Sequence, residues 1–420
     1  MTKKMYLCNM RKIMPIAFLT AVCLTAACGA LVVPPEEEVE IVPAVPIELT
    51  KADLGIRDAS NASGLDIFSR LYAVRGGKDV SFSPLSLSLA FAMAAEGAEG
   101  DTYKEIADAL GWGETTKEEL GAFYKKMIAG LVAADPSVSL TSSNSLWTAQ
   151  DLVLKDAYKK LLADNFAAES YQVDFAAAGT LGKINKWCSD KTDGKIPQML
   201  QELNPKTRMM LINALLYKAT WAMSWTVKEN RDFKDEAGAV SKKDYLYVKE
   251  ELRCADFDDC QAIALPYGNG AYEMVVFLPK AGYTVEKILP TVMEKGGTLR
   301  LYSRPAEVWL PKFSTEYCTE DQLIPILQGK GMALPFSNYA DFSGISAAEA
   351  LKISLVMQRV RIDVNEKGTE FAAVTVIGME KATSVGAPPK TFVFDADHPF
   401  VYMIRETSTD TVLLVGSLTK

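Results

Sequence analysis

The spacing of apolar positions predicts helices in the first half of the chain. Residues 154–166 and 181–193 each carry an apolar stripe at helical spacing, and residues 84–110 predict a buried helix, a glycine-containing break and a second helix. Either Ser81 or Ser83 can cap the first of these, because serine hydroxyls accept bonds from free amide groups at helix starts. The first half is therefore helix-rich.

Apolar and β-branched runs predict strands in the second half. The clearest is residues 262–280, where two runs flank a Gly-Asn-Gly turn, a strong hairpin signal. The other predicted strand regions are residues 210–225, 306–313, 351–368, 391–406 and 411–420. Helices gathered early and strands gathered late predict an α+β fold with large, mostly antiparallel sheets.

The first 27 residues have the pattern of a signal peptide. A basic segment precedes an apolar segment that ends in small residues, and the stretch is too short for a membrane span. Residues 24–28 (LTAAC) resemble a bacterial lipobox, in which Cys28 becomes the lipidated first residue, although Leu24 lies one position too far from it. The sequence is therefore compatible with a lipoprotein and with a secreted protein that has no lipid anchor.

Proline and glutamate dominate the residues that follow. This composition predicts an extended tether rather than a packed core. We expect a signal peptide over 1–27, a tether over 28–52 and one domain over 53–420, since no repeat or second linker appears. The protein is then exported, and it is either lipid-anchored to a bacterial envelope, on the periplasmic side or at the surface, or secreted.

The charge and cysteine content exclude several classes of function. The formal net charge is −8, and no basic stripe with interleaved aromatic residues indicates nucleic-acid binding. The four cysteines after Cys28, which are Cys188, Cys254, Cys260 and Cys318, are too few for a disulfide scaffold. Cys254 and Cys260 can bridge in an oxidising envelope, but their spacing fits no zinc signature. We expect no metal and no cofactor.

A catalytic site is not indicated. The single histidine, His398, lies in a strand-like segment beside apolar residues, which favours a structural role over a Ser-His-Asp or Cys-His site. The chain lacks HExxH, GxSxG, a phosphate-binding loop and GxGxxG. We therefore expect no enzyme, and a hydrolase remains only as a third hypothesis.

Seven short motifs, in order, resemble the serpin family. Each alone is modest, but together they cover residues 60 to 420 in the order that the family has. They are residues 82–86 (FSPLS), 192–196 (TDGKI), 211–221 (LINALLYKATW), 310–313 (LPKF), 340–345 (ADFSGI), 365–370 (NEKGTE) and 394–404 (FDADHPFVYMI). The resemblance implies helices packed on three mostly antiparallel sheets and an exposed C-terminal reactive-centre loop.

The resemblance also implies a mechanism. Serpins expose a loop as bait, the protease that cleaves it is held as an acyl-enzyme, and the loop then inserts as a new strand in the central sheet. Here that loop is residues 366–389, so the chain is expected to be a monomeric inhibitor of extracellular serine proteases. Its hinge comprises Glu366, Gly368, Thr369, Glu370, Phe371, Ala372, Ala373 and Thr375. The Thr369 side of the strand should face inward.

The family's register implies a reactive bond near residue 382. Counted from Glu366, the bond is Ala382–Thr383, and Lys381–Ala382 lies one step earlier. A trypsin-like protease prefers Lys381, because its pocket bears a carboxylate, whereas an elastase-like protease prefers Ala382. Papain-like cysteine proteases are further candidate partners.

Phe371 departs from the family pattern. The family usually has a small residue there, and a bulky ring on the inward face can slow insertion until water releases the protease. The second hypothesis is therefore a non-inhibitory binding or substrate lipoprotein with the same fold. Ala372, Ala373 and Thr375 remain typical of an inhibitory hinge.

The resemblance implies roles at the middle (the shutter) and top (the breach) of the central sheet. The residues concerned are Ser83, Ser86, Asn213, Trp221, Lys312 and Gln358. Gln358 stands where the family has a histidine, and its amide can both donate and accept, so we predict a contact with Asn213. We also predict that Lys312 pairs with Glu366 and that Trp221 packs beside them.

Overall fold

The computed structural model of the chain describes residues 42–369 and 390–420. The helices in this part are α1 (Lys51–Val74), α2 (Pro84–Ala95), α3 (Gly100–Leu110), α4 (Lys117–Ala133), α5 (Asp156–Phe166), α6 (Thr180–Lys191), α7 (Val285–Lys295) and α8 (Leu323–Gly329), with a 3-10 turn at Leu334–Phe336. None of these helices is both long enough and apolar enough to cross a membrane.

The strands lie mainly in the second half, as predicted. They are β1 (Ser81–Phe82), β2 (Ser139–Ala149), β3 (Glu169–Val173), β4 (Met209–Thr220), β5 (Thr226–Lys234), β6 (Val240–Asp256), β7 (Cys260–Tyr267), β8 (Tyr272–Pro279), β9 (Tyr302–Pro311), β10 (Phe313–Cys318), β11 (Arg359–Asn365), β12 (Gly368–Thr369), β13 (Phe392–Asp395), β14 (Phe400–Glu406) and β15 (Val412–Leu418).

Six strands form the sheet that we call the central sheet. Their order is β10-β11-β12-β4-β2-β3, and the neighbours are antiparallel except for the parallel pair β2–β3. The remaining strands follow the order β1-β15-β14-β8-β7-β6-β9-β13, with β5 on β6. These nine strands form one continuous sheet, in which the long strand β6 pairs with β5 at its start and with β7 at its end. The described strands thus form two hydrogen-bonded sheets, and the expected three are reached roughly, by counting the two ends of β6 separately.

Helix α2 lies in the core beneath the central sheet. All of its residues except Ala90 are buried, which is typical of a helix that is apolar on every side. Of the two predicted caps, Ser83 is the one used: its Oγ accepts from the Ser86 amide at 3.1 Å, and Pro84 occupies the first turn. The start of α2 is therefore fixed at the middle of the sheet.

The predicted Gly-Asn-Gly hairpin joins β7 to β8. Gly268 has φ 45°, and a Cβ there would lie 2.1 Å from Oδ2 of Asp135, so only glycine fits. That same carboxylate accepts from the Asn269 amide at 2.8 Å. The turn is thus anchored to the end of α4.

Three details of the sequence interpretation need correction or completion. The tether predicted over 28–52 ends too late: Ile47 is buried in the core and α1 already starts at Lys51. Residues 351–358, predicted as strand, have no regular structure, because no described strand pairs with them. Cys254 and Cys260 are both buried free thiols.

His398 has a structural environment in the turn before β14. Its Nδ1 lies 2.7 Å from Oδ1 of Asp397, and its Nε2 lies 2.8 Å from the Pro279 carbonyl oxygen. Both ring nitrogens are therefore engaged in holding this turn against the end of β8.

Candidate functional site: a vacant strand position in the central sheet

The short strand β12 fills the top of the space between β11 and β4. Gly368 lies opposite Asn365 and Thr220, and Thr369 lies opposite Val364 and Ala219, antiparallel on both sides. The φ of Gly368 is 146°, and a Cβ there would lie 2.0 Å from a backbone oxygen of β4. Glycine is thus required where the chain enters the sheet.

Thr369 faces the interior, as predicted. Its side chain is buried, and its Oγ1 lies 2.6 Å from the hydroxyl of Tyr267. The first pair of β12 therefore starts a strand with one buried face.

Below Thr369 the position between β4 and β11 is vacant within the described part of the chain. We call this space the slot; it is bounded by residues 209–217 of β4 and by residues 352–363. Two cavities lie along it, an upper one lined by Leu215, Tyr217 and Ile362 and a lower one lined by Leu211, Ile353 and Met357. An extended strand has the shape and the backbone donors and acceptors to fill it.

The burial pattern of β4 differs between its two faces. Residues on the same face as Thr369 stay partly exposed, whereas those on the opposite face are buried. The partly exposed ones are Leu211, Asn213, Leu215 and Tyr217, and the buried ones are Met210, Ile212, Ala214 and Leu216. The inner face of β4 is thus only half covered.

Gln358 clamps the start of α2 at the middle of the slot. Its Oε1 accepts from the Ser83 amide at 2.6 Å, and its Nε2 donates to the Ser83 carbonyl at 3.0 Å. The Ser83 hydroxyl donates to the Leu413 carbonyl at 2.6 Å and lies 3.0 Å from that of Ser86. This amide therefore ties the edge beside β11 to the helix beneath the sheet.

The predicted contact between Gln358 and Asn213 is wrong. Asn213 instead donates to Ser142 Oγ at 2.9 Å and to Asn144 Oδ1 at 2.8 Å, and its own Oδ1 is buried without a hydrogen-bond partner. The reason is geometric: two strands flanking a vacant position lie about 9–10 Å apart, twice the usual spacing, which is too far for two amides.

The top of the slot is closed by the predicted breach residues. Lys312 Nζ lies 2.8 Å from Glu366 Oε2, and this bond keeps the pKa of the Glu366 carboxyl below its usual value. The Trp221 ring stacks on Tyr267 with centroids 4.4 Å apart, and its Nε1 donates to the Asn365 carbonyl at 2.8 Å. Both predicted contacts are formed.

A loop after α6 spans the slot, and sequence reasoning missed its role. Asp193 pairs with Lys218 of β4 at 2.8 Å, while Lys195 lies 3.9 Å from Asp363 of β11. The loop therefore has an ionic contact on each side of the vacant position. The signal was present, because these residues belong to or neighbour the TDGKI motif at 192–196.

The lower end of the slot is held by Arg208. Its Nη1 lies 2.8 Å from Asp151, and its Nη2 lies 2.5 Å from Glu349. This clamp joins the start of β4 to the segment before residue 352. It too was missed, because the three residues are far apart in sequence.

Part of the predicted site lies outside the described residues. This applies to the lipidation residue, to most of the hinge and to the reactive bond. The residues are Cys28, Glu370, Phe371, Ala372, Ala373, Thr375, Lys381, Ala382 and Thr383. Their predicted roles stay predictions.

Comparison with known sequences supports the same family. The family model described as serpin (serine protease inhibitor) matches residues 58–420. The chain is 35% identical over 375 residues to Iripin-3 of Ixodes ricinus, covering 86% of this chain and 93% of the relative. It is 29% identical over 380 residues to an uncharacterized serpin-like protein of Methanosarcina acetivorans, covering 86% and 85%.

Comparison with solved structures gives the same fold. Tengpin, a thermophilic serpin in the native state, is 25% identical with a TM-score of 0.77, covering 91% of this chain and 97% of that one. A complex of thyroxine-binding globulin with thyroxine is 23% identical with a TM-score of 0.77, covering 87% and 98%, and this likeness concerns the fold alone. The chain belongs to the serpin family.

Proposed function

We propose that this protein inhibits extracellular serine proteases by suicide cleavage of residues 366–389. The protease's serine attacks the carbonyl of Lys381 or Ala382, forms an ester with it and releases the new amino terminus that follows. A trypsin-like enzyme uses the first bond and an elastase-like enzyme the second. The segment behind the ester then enters the slot.

The main support for this proposal is the slot itself, because β12, the start of the hinge, is paired between β11 and β4 at its upper end. Continuing the β12 register pairs each later hinge residue with an earlier residue of β4, so that Met379 would reach Met209. The ten residues on each side span about 34 Å. The ester would then arrive beside the Arg208 clamp, at the far end of the sheet.

This displacement explains how the protease would be held. Its oxyanion hole and triad need placement within fractions of an ångström, so pressing the enzyme against the lower end of the domain distorts them. Hydrolysis of the ester then stalls and the complex persists.

The same register gives each inward hinge residue a defined neighbourhood. Thr375 would lie between Asn213 and Gln358, the two amides that the slot separates. Its hydroxyl could donate to the unpartnered Oδ1 of Asn213. The polar group that the vacant slot leaves unsatisfied thus supports insertion of this strand.

Phe371 favours a second candidate, a non-inhibitory substrate or binding protein. The continued register puts its ring between Tyr217 and Ile362, at the first step beyond Thr369 and Glu370. If the ring slows this step, water hydrolyses the ester before the protease is distorted. Replacing Phe371 with Ala should then raise the fraction of cleavage events that end in a covalent complex, by several-fold; an unchanged fraction would count against this role for the ring.

We also propose that the protein acts at the cell envelope, anchored through a lipid on Cys28. The support is the lipobox-like sequence and the tether that follows it. Labelling cells with an alkyne fatty acid should mark the protein, and Cys28→Ser should abolish the label. Labelling that survives this substitution would contradict the anchor.

Incubation with trypsin and with an elastase tests inhibition directly. We expect a band on a denaturing gel whose mass is that of the inhibitor plus the protease, less the released C-terminal peptide. Protease whose serine is chemically blocked is the control and should give no such band. Clean cleavage of the chain, without any covalent complex at any ratio, would contradict inhibition.

A further inference from the structure

The strand that follows the reactive loop is the edge of an exposed sheet face. The described chain resumes at Lys390, and β13 begins two residues later, parallel to β9. Strand β9 pairs in turn with β6, and β6 with β5. Val393 of β13 leaves 54% of its surface exposed, although it is apolar. This face is thus the surface next to the C-terminal attachment of the loop.

Two aromatic rings and two cations lie together on this face. The rings of Tyr247 and Trp309 have centroids 4.2 Å apart, and both residues are partly exposed. The guanidinium of Arg231 lies 3.9 Å from the Trp309 centroid, and the ammonium of Lys228 lies 5.6 Å from that of Tyr247. We call these four residues the rim patch.

The two cations differ in what they can offer a partner. Arg231 is held by Asp395 at 2.9 Å, so its charge is largely compensated. Lys228 is exposed, and no described carboxylate lies within ion-pair distance of it. Glu307, which accepts from the Tyr247 hydroxyl at 3.1 Å, is paired with Lys249, so Lys228 is the cation beside these rings that forms no ion pair among the described residues.

We propose that the rim patch is a second contact surface for the captured protease and favours enzymes with acidic residues around their active site. The inference rests on the proposed inhibitory function. Tyrosine, tryptophan and arginine are enriched at the centres of protein interfaces, and an uncompensated cation steers an oppositely charged partner during encounter.

Simple geometry brings the protease within reach of the patch. The reactive bond lies seven to nine residues before Lys390, so it is at most about 30 Å from it when the chain is extended. A protease of about 230 residues is roughly 45 Å across. An enzyme bound at the loop therefore covers the neighbourhood of β13 from most orientations.

The test compares charge reversal inside and outside the patch. Lys228→Glu is made alongside Lys125→Glu, an equal charge change at an exposed residue of α4, outside this sheet. The second-order rate constant for complex formation is measured with an acidic and a basic trypsin isoform, at low salt and at about 0.5 M salt. Melting temperatures verify that both variants remain folded.

We expect Lys228→Glu to slow the acidic isoform about five-fold at low salt and to speed the basic one, with both effects shrinking at high salt. Lys125→Glu should change each rate less than two-fold. Equal effects of the two variants, or equal slowing of both isoforms by Lys228→Glu, would overturn the proposal.

Failure of the inhibitory function would be visible separately. If no variant, including the unaltered protein, forms a covalent complex, the inhibitory proposal fails. The rate of loop cleavage, read from the same gels, then replaces the rate of complex formation. A docking surface must accelerate cleavage of the loop in the same charge-dependent manner.

Discussion

The upper and lower ends of the slot lie between the same two segments of chain. They differ in whether the backbone groups that face the slot have hydrogen-bond partners among the described residues. At the top, Gly368 and Thr369 pair with both β4 and β11, and the Lys312–Glu366 pair and Trp221 close the entrance. Below, both edges lack a described strand partner and one side chain, Asn213, keeps an unsatisfied buried oxygen. Within the described residues, β4 and β11 are therefore bridged by a strand only at Gly368 and Thr369.

If the proposed insertion occurs, this difference predicts a gain in free energy. Ten further residues paired with both edges of the slot would form about twenty backbone hydrogen bonds, each contributing about 1 kcal/mol net of water. Ordering these ten residues would cost about 1 kcal/mol each, which leaves a gain of about 10 kcal/mol. The strand that would form these hydrogen bonds follows Thr369 directly in the chain. We therefore predict that the protein becomes more stable after its loop is cut.

Cutting the loop should produce the largest effect. A stabilisation of about 10 kcal/mol corresponds to roughly 20 °C in melting temperature for a domain of this size, at about 2 °C per kcal/mol. Calorimetry before and after cleavage with catalytic amounts of protease measures it. A melting temperature that stays within a few degrees would mean that the slot remains vacant after cleavage.

Breaking the clamp at the middle of the slot should produce the next largest effect. Gln358→Ala leaves the buried amide of Ser83 without a partner and leaves its carbonyl only the bond from the Leu87 amide, so the free energy of unfolding of the intact protein should fall by about 3 kcal/mol. Denaturant titration measures the loss. Gln328→Ala, at an exposed residue of α8, is the control and should cost under about 0.5 kcal/mol. Similar costs for both would refute the clamp.

Glu96 lies at the opposite end of α2, and burial of its carboxyl lowers the stability of the folded protein independently of the slot. Desolvation raises the pKa of its carboxyl to about 7, and its Oε1 is buried without a partner. The pKa of this carboxyl is higher in the folded protein than its unfolded value near 4.5. The protonated carboxyl therefore contributes its full share to the free energy of unfolding below pH 4.5, and this contribution is lost as the pH rises through 7.

Glu96→Gln should therefore abolish a pH-dependent loss of about 3 kcal/mol in unfolding free energy, at about 1.4 kcal/mol per pKa unit. Urea titrations from pH 4.5 to 8 give the comparison, with Glu118→Gln, an exposed neighbour, as the control. The substitution should act equally on the intact and cleaved forms. A decline as steep in Glu96→Gln as in the unaltered protein would contradict this assignment.

The smallest effect should be confined to the cleaved form. Thr375→Val keeps the shape of the side chain but removes the hydroxyl that we place opposite Asn213. The intact protein should melt as before, whereas the cleaved one should lose about 1 kcal/mol, roughly 2 °C. Equal melting of both cleaved proteins would refute this register, and a shift in the intact protein would mean that Thr375 already has a partner.

The sequence predicts the fold and the top of the slot well, because both depend on motifs that stay close in the final structure. Ser83, Trp221 and the pair Lys312–Glu366 lie where the family pattern implies. The contact between Gln358 and Asn213 fails for a different reason. It depends on whether a strand lies between them, which is a property of the conformational state and not of the two residues.

Other features depend on distant residues that no local pattern connects. The clamp of Arg208 on Asp151 and Glu349 joins three separate segments. Ile47 is one apolar residue in a region dominated by proline and glutamate, so composition hides its burial. In each case the missing information is the tertiary neighbour.

Hydrogen exchange of the slot edges tests the central claim most directly. Amides of residues 209–217 and 359–363 are compared in the intact protein and after cleavage of the loop, by mass spectrometry of peptides. We predict that exchange at both edges slows by at least about 100-fold after cleavage, while β7 and β8 change little. Unchanged exchange at both edges in a fully cleaved sample would contradict insertion of the loop into this slot.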